Sequence, residues 1–96
     1  MTEIVHILEE RGKRYGAFAG HALITQSLKA MMADYKVQGE VYPRWNMLAV
    51  DQREALEMIA HKIGRILNGD PDYADSWDDI AGYAKLVGDR LNGVQR

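Results

Sequence analysis

In DQREALEMIAHKIGRILNG, residues 51–69, the apolar side chains Leu56, Ile59, Ala60, Ile63, Ile66 and Leu67 recur every three or four positions. On a helix of about 3.6 residues per turn that spacing makes one continuous stripe. Asp51 and Glu54 have capping-box spacing at the start, and Asn68-Gly69 predicts a left-handed stop at the end. Asp70-Pro71 then reads as the N-cap and first residue of another helix, which runs to about Leu91 and closes at Asn92-Gly93. Its expected buried side holds Trp77, Ile80, Tyr83, Ala84, Val87 and Leu91. These two helices, third and fourth in chain order, are expected to form an antiparallel hairpin.

Upstream, Ile4, Ile7, Leu8 and Arg11 share helical spacing, so a first helix is expected over about Thr2–Arg11, broken by Gly12 and Tyr15-Gly16. A second runs from about Ala17 to Tyr35 with Gly20, Ile24, Leu28, Met31, Met32 and Tyr35 near one face. Between the second and third helices, Lys36–Val50 contains Gly39 and Pro43 and alternates poorly, and Pro43 opposes a central strand. It reads as a long loop, a lid. The expected fold class is all-α: one small four-helix domain over residues 1–96.

Composition narrows the function. The 96 residues are 47% apolar and 27% charged, with 12 Lys+Arg against 14 Asp+Glu and a net charge of −2. Such a chain lacks the positive field that grips duplex nucleic acid, so no duplex partner is expected. The absence of cysteine excludes disulfides, cysteine-ligated zinc and thiol nucleophiles. Met1–Glu10 lacks a signal-peptide apolar run and no stretch suits a membrane span, so the expected location is the cytoplasm, with no membrane partner. A domain this small buries only about 60% of its unfolded surface, which favours a homo-oligomer.

Glu54, Glu57, His61 and Arg65 share the side of the third helix away from its stripe, with Lys62 at an edge. Alternating charges there read as a solvated face. The alternative is a phosphate site, in which Arg65 offers a planar fork, Lys62 a point charge, and Glu54 and Glu57 hold Mg²⁺. Of the acidic group Asp70, Asp72, Asp75, Asp78 and Asp79, the first-turn members suit the helix dipole. Asp79 lies further in, beside the apolar side with Asp75 and Tyr83, and needs a partner: Lys62, Arg65, Arg90 or a metal. His21 shares a stripe with Ile24 and Leu28 and reads as a core histidine bonded to a carbonyl. His6 and His61 are too scattered to define a metal site. Tyr15, Tyr42 and Trp45 could stack a base or close over the core.

Glu54-Ala-Leu-Glu57, seventeen intervening residues and Asp75-Ser-Trp-Asp78 resemble the ExxE…ExxD pattern of MazG-like all-α nucleoside triphosphate pyrophosphatases. Arg11-Gly-Lys-Arg-Tyr-Gly16, Lys62-Ile-Gly-Arg-Ile66 and Asp75-Ser-Trp-Asp-Asp-Ile-Ala-Gly-Tyr-Ala84 together resemble a family of small phage and prophage helical proteins, from about Leu8 to Leu91. Its pattern falls on Tyr15, Gly16, Lys62, Arg65, Asp75, Trp77, Asp79 and Tyr83. The resemblance implies a phage setting and a fold distantly similar to MazG-like domains. The first functional expectation is a nucleotide-binding protein using Lys62, Arg65, Asp75, Asp79, Tyr15 and Tyr83, without a cofactor, which sequesters a host signalling nucleotide to blunt host defence. The alternatives are a Mg²⁺-dependent pyrophosphohydrolase with Glu54, Glu57, Asp75 and Asp79 as catalytic and metal-binding residues, and a phage inhibitor directed at a protein.

Overall fold

The computed structural model describes residues 2–96, which form four α-helices and no strand. They are α1 (Thr2–Tyr15), α2 (Phe18–Asp34), α3 (Val50–Asn68) and α4 (Ala74–Leu91), with a 3₁₀ turn at Arg44–Met47. The chain is all-α, and α3 and α4 pack closely along each other as expected from their apolar repeats.

α3 is the central rod, with α4 on one side and α2 on another. Toward α4 it presents Asp51 and Lys62, which pair with Arg90 and Asp79. Toward α2 it presents Glu57, His61 and Gly64. The side that reads as solvated in the sequence is therefore partly covered. Gly64 allows this: a Cβ there would lie 2.8 Å from Thr25 Cγ2 and 3.1 Å from His21 Nδ1. Because α2 and α4 meet α3 rather than each other, much of the expected core stays open. Trp77 and Leu91 on α4, Met31 on α2, Tyr35 just after it and Leu67 on α3 are all more than half exposed. The buried apolar residues among those described are Ala55 and Ala60.

Several boundaries differ from the sequence expectation. α1 passes through Gly12, since an interior glycine costs only about 1 kcal/mol, and stops at Gly16, whose φ is 76°. Gly69 is not left-handed (φ −135°, ψ −131°). Its lack of a Cβ instead admits the backbone of Arg14 and Tyr15. α4 starts at Ala74, not at Pro71, because Asp70 closes a local turn: its Oδ1 accepts from Asp72 N at 2.9 Å and its carbonyl from Tyr73 N at 3.3 Å. At the start of α3, Gln52 Oε1 accepts from Ala49 N at 2.9 Å, so Asp51 and Glu54 form no capping box. α4 does end with a left-handed glycine, Gly93 at φ 83°.

The segment between α2 and α3 forms no hairpin. Arg44 N donates to Tyr35 O at 3.0 Å, and Trp45 shares a groove with Met31, Met32, Tyr35, Leu48 and Leu56. This anchors the segment at the C-terminal end of α2. No helix among the described residues is long and apolar enough to cross a membrane.

Candidate functional site

The α1–α2 elbow is clamped to the end of α3. Asn68 Nδ2 donates to Tyr15 O at 2.8 Å and to Ala17 O at 2.7 Å, and Asp70 N donates to Arg14 O at 2.6 Å. Gly16 and Gly20 lie against Asn68 so closely that a Cβ on either would collide with it. Tyr15-Gly16 and Asn68-Gly69, two separate helix stops in the sequence, are one joint in space.

The joint sets Tyr15 under the Arg65 guanidinium, 4.5 Å from ring centre to Cζ. Tyr15 meets Tyr73 edge-on at 6.1 Å, and Arg14 covers Tyr73 at 4.4 Å. Beside this stack lies an open cleft of about 370 Å³ lined by Leu8, Arg11, Tyr15, Phe18, His21 and Arg65. Phe18 is 81% exposed there. Among the described residues, Arg14, Arg44, Arg90 and Arg96 have carboxylate partners, whereas Arg11, Arg53 and Arg65 have none, and of these Arg11 and Arg65 line the cleft. Two unneutralised guanidiniums beside exposed aromatic carbon suit a ligand with an anionic and a planar part.

His21 does not bond a carbonyl. Its Nε2 lies 3.3 Å from His61 Nδ1, the two rings are stacked 5.5 Å apart, and His21 Nδ1 is buried without a partner. Burial and then the neighbouring His61, Arg65 and Lys62 hold His21 below its ordinary pKa of 6.5. Burial likewise lowers His61, helped by Lys29, Arg65 and Lys62 and opposed by Glu57. The unfolded chain therefore takes up these protons at a higher pH than the folded one. Stability is full above about pH 6.5 and falls as pH drops through the depressed folded values. Urea midpoints are expected to be lower at pH 5.5 than at pH 7.5, and a midpoint that holds or rises on acidification contradicts this account.

The other candidate residues are placed as follows. Lys62 is buried, and its Nζ lies 3.0 Å from Asp79 Oδ2, so Asp79 has the intramolecular partner its position requires. Asp75 is exposed and accepts a 2.9 Å bond from the Tyr73 hydroxyl, which raises the Tyr73 pKa. Tyr83 lies elsewhere, in a cleft of about 480 Å³ with Asp51, Glu54 and Arg90. Glu57 Oε2 is 3.9 Å from Lys29 Nζ. Glu54, Glu57, Asp75 and Asp79 thus take separate partners or clefts, and among the described residues no three His, Cys, Asp or Glu side chains converge as a metal site. These four do not fit a Mg²⁺ cluster within one chain. Of the ligand-binding candidates, Tyr15 and Arg65 come together, with Lys62–Asp79 one turn away along α3. Arg11, Phe18 and the His21–His61 pair are additions. The glycines at 20 and 64 are the sequence signal that α2 could approach α3 closely.

Fold and cleft together define a small all-helical protein with an arginine–aromatic site at a helix elbow. The chain belongs to the family described as Domain of unknown function (DUF6378), whose family model matches residues 2–91. No curated protein and no solved structure matches it.

Proposed function

We propose that the protein binds a small nucleotide in the elbow cleft and retains it without turnover. Arg11 and Arg65 take the phosphate oxygens, and Phe18 with Tyr15 offers apolar ring surface to the base. The observation that carries this reading is the pairing of two carboxylate-free guanidiniums with an 81%-exposed Phe18 around one cleft. Lys62 and Asp79 are committed to each other and lie outside the cleft, so they take no part in the contacts to the nucleotide. Sequestration of a signalling nucleotide is the biological form of this activity, and the separated carboxylates favour retention over Mg²⁺-dependent hydrolysis.

Titration calorimetry with ATP, GDP and a cyclic dinucleotide tests the reading. The ligand that binds is expected to lose about 1.5–3 kcal/mol, roughly 10- to 150-fold, on Arg65→Ala, as for a charge-assisted hydrogen bond. Phe18→Ala is expected to cost about 1–3 kcal/mol through lost stacking. Affinity that survives Arg65→Ala removes the cleft from the function. Incubation with mixed nucleoside triphosphates and Mg²⁺ is expected to release no pyrophosphate. Release that Glu57→Gln abolishes would instead establish the hydrolase.

A further inference from the structure

We infer that the chain is one half of a two-fold dimer whose shared core forms where the outer face of α2 meets the same face of a second copy. This inference does not depend on the nucleotide reading.

The single chain is too open for its mass. It exposes 7142 Å², whereas a compact monomer of 10.9 kDa exposes about 5,600 Å². Its radius of gyration is 16.1 Å, against about 12.5 Å for a compact domain of 96 residues. The excess is roughly 1,500 Å² per chain. Two copies hiding that much would bury about 3,000 Å² together, within the range of obligate homodimers. With Ala55 and Ala60 as the only buried apolar side chains among the described residues, these residues form no core of the usual kind within one chain.

α2 supplies the centre of that surface. Its inner side meets α3 through His21, Thr25 and Lys29. Its outer side carries Ala19, Leu23, Ser27, Ala30 and Met31, all exposed and uncharged, with the exposed Asp34 at its C-terminal end. Between Phe18 and Ala33 the one charged side chain of α2 is Lys29, already turned to Glu57 of α3, and a helix so poor in polar surface belongs inside an assembly. Leu23 and Met31 are 72% and 71% exposed, and the small residues between them let a second helix approach closely. Ser27 Oγ already donates to Leu23 O at 2.7 Å, so covering it strands no hydroxyl donor. A two-fold contact places a surface against itself, which a patch of one charge sign opposes; this face permits it from Ala19 to Met31, and an antiparallel crossing near Ser27 keeps the two Asp34 side chains apart at its ends.

Light scattering on wild-type protein at micromolar concentration is expected to give the mass of two 10.9-kDa chains. The melting temperature should rise with protein concentration, as it does for a folded dimer in equilibrium with unfolded chains. Ala30→Glu keeps a good helix former at an exposed position, so an isolated chain tolerates it. In the dimer it buries a charge, and the two-chain mass is expected to be lost whether or not the released chain stays folded. Ala81→Glu, exposed on α4, should leave the mass unchanged. A wild-type mass of one chain with a concentration-independent melting temperature overturns the inference. So does an oligomer that survives Ala30→Glu, or one that Ala81→Glu dissociates.

Discussion

Replacing Gly16 by alanine should cost about 2–5 kcal/mol of stability, the sum of two effects at one atom. At φ 76° a Cβ faces the left-handed penalty of about 1–2 kcal/mol. The same Cβ would also run into the carbonyl oxygen and side chain of Asn68. Relieving that collision means moving the end of α3 away from the elbow, which weakens the bonds from Asn68 Nδ2 to Tyr15 and Ala17. Overpacking of this kind adds about 1–3 kcal/mol. Gly12 provides the opposite result four residues earlier. It lies within α1, with nothing within 4 Å of a built Cβ, so Gly12→Ala should stabilise by about 0.5–1 kcal/mol. Urea denaturation of both variants reads the two signs. A loss below about 1 kcal/mol for Gly16→Ala would mean that the elbow is not held by α3. Because the elbow positions Tyr15 and Phe18, Gly16→Ala should also weaken nucleotide binding in whatever fraction remains folded.

The helices were legible because each carries a local signal. The repeat from Leu56 to Leu67 identifies α3, and the spacing around Tyr83 and Val87 identifies α4. Boundaries failed where a contact distant in sequence changed the local choice. Gly69 is a helix stop to a reader of residues 64–69, yet its conformation serves the backbone of Arg14 and Tyr15, more than 50 positions upstream. Asp70-Pro71 matches a helix start, but the Asp70 side chain closes its own turn before α4 can begin. The burial expectations erred because an apolar stripe states that a face prefers to be covered without stating by what. For Met31 on α2, Tyr35 at its end, and Trp77 and Leu91 on α4, the single chain leaves more than half of each residue uncovered. The site was half legible. The spacing of Lys62, Arg65 and Asp79 brought them forward, and a partner for Asp79 was required by its place on the helix. His21–His61 and Arg11–Arg65 remained hidden because each joins residues at least forty positions apart, and only the closeness allowed by Gly20 and Gly64 hinted at the meeting.

The Lys62–Asp79 pair yields the second large effect, and the two partners are not equivalent. Lys62 keeps only 9% of its side chain exposed, whereas Asp79 keeps 49%. Asp79→Asn leaves an ammonium in a protein interior facing an uncharged amide. For a fully buried pair that change costs about 3–5 kcal/mol. Water reaching the half-exposed carboxylate reduces the expected loss here to about 1–3 kcal/mol. Lys62→Met removes the buried charge and keeps an unbranched chain of similar volume, while Asp79 can turn to solvent. Its stability should stay within about 1 kcal/mol of wild type. The double variant Lys62→Met/Asp79→Asn should recover most of the loss of Asp79→Asn alone, a coupling of at least about 1 kcal/mol. Additive single and double variants would show that the ion pair carries no stability. The same proteins separate position from contact in the nucleotide reading. The Lys62 ammonium is committed to Asp79 and its side chain does not line the elbow cleft. Lys62→Met should therefore retain nucleotide affinity within about threefold, less than the tenfold that 1.4 kcal/mol represents, while Arg65→Ala loses far more. A loss on Lys62→Met as large as on Arg65→Ala would put the ammonium at the phosphate and require the pair to open when the nucleotide binds.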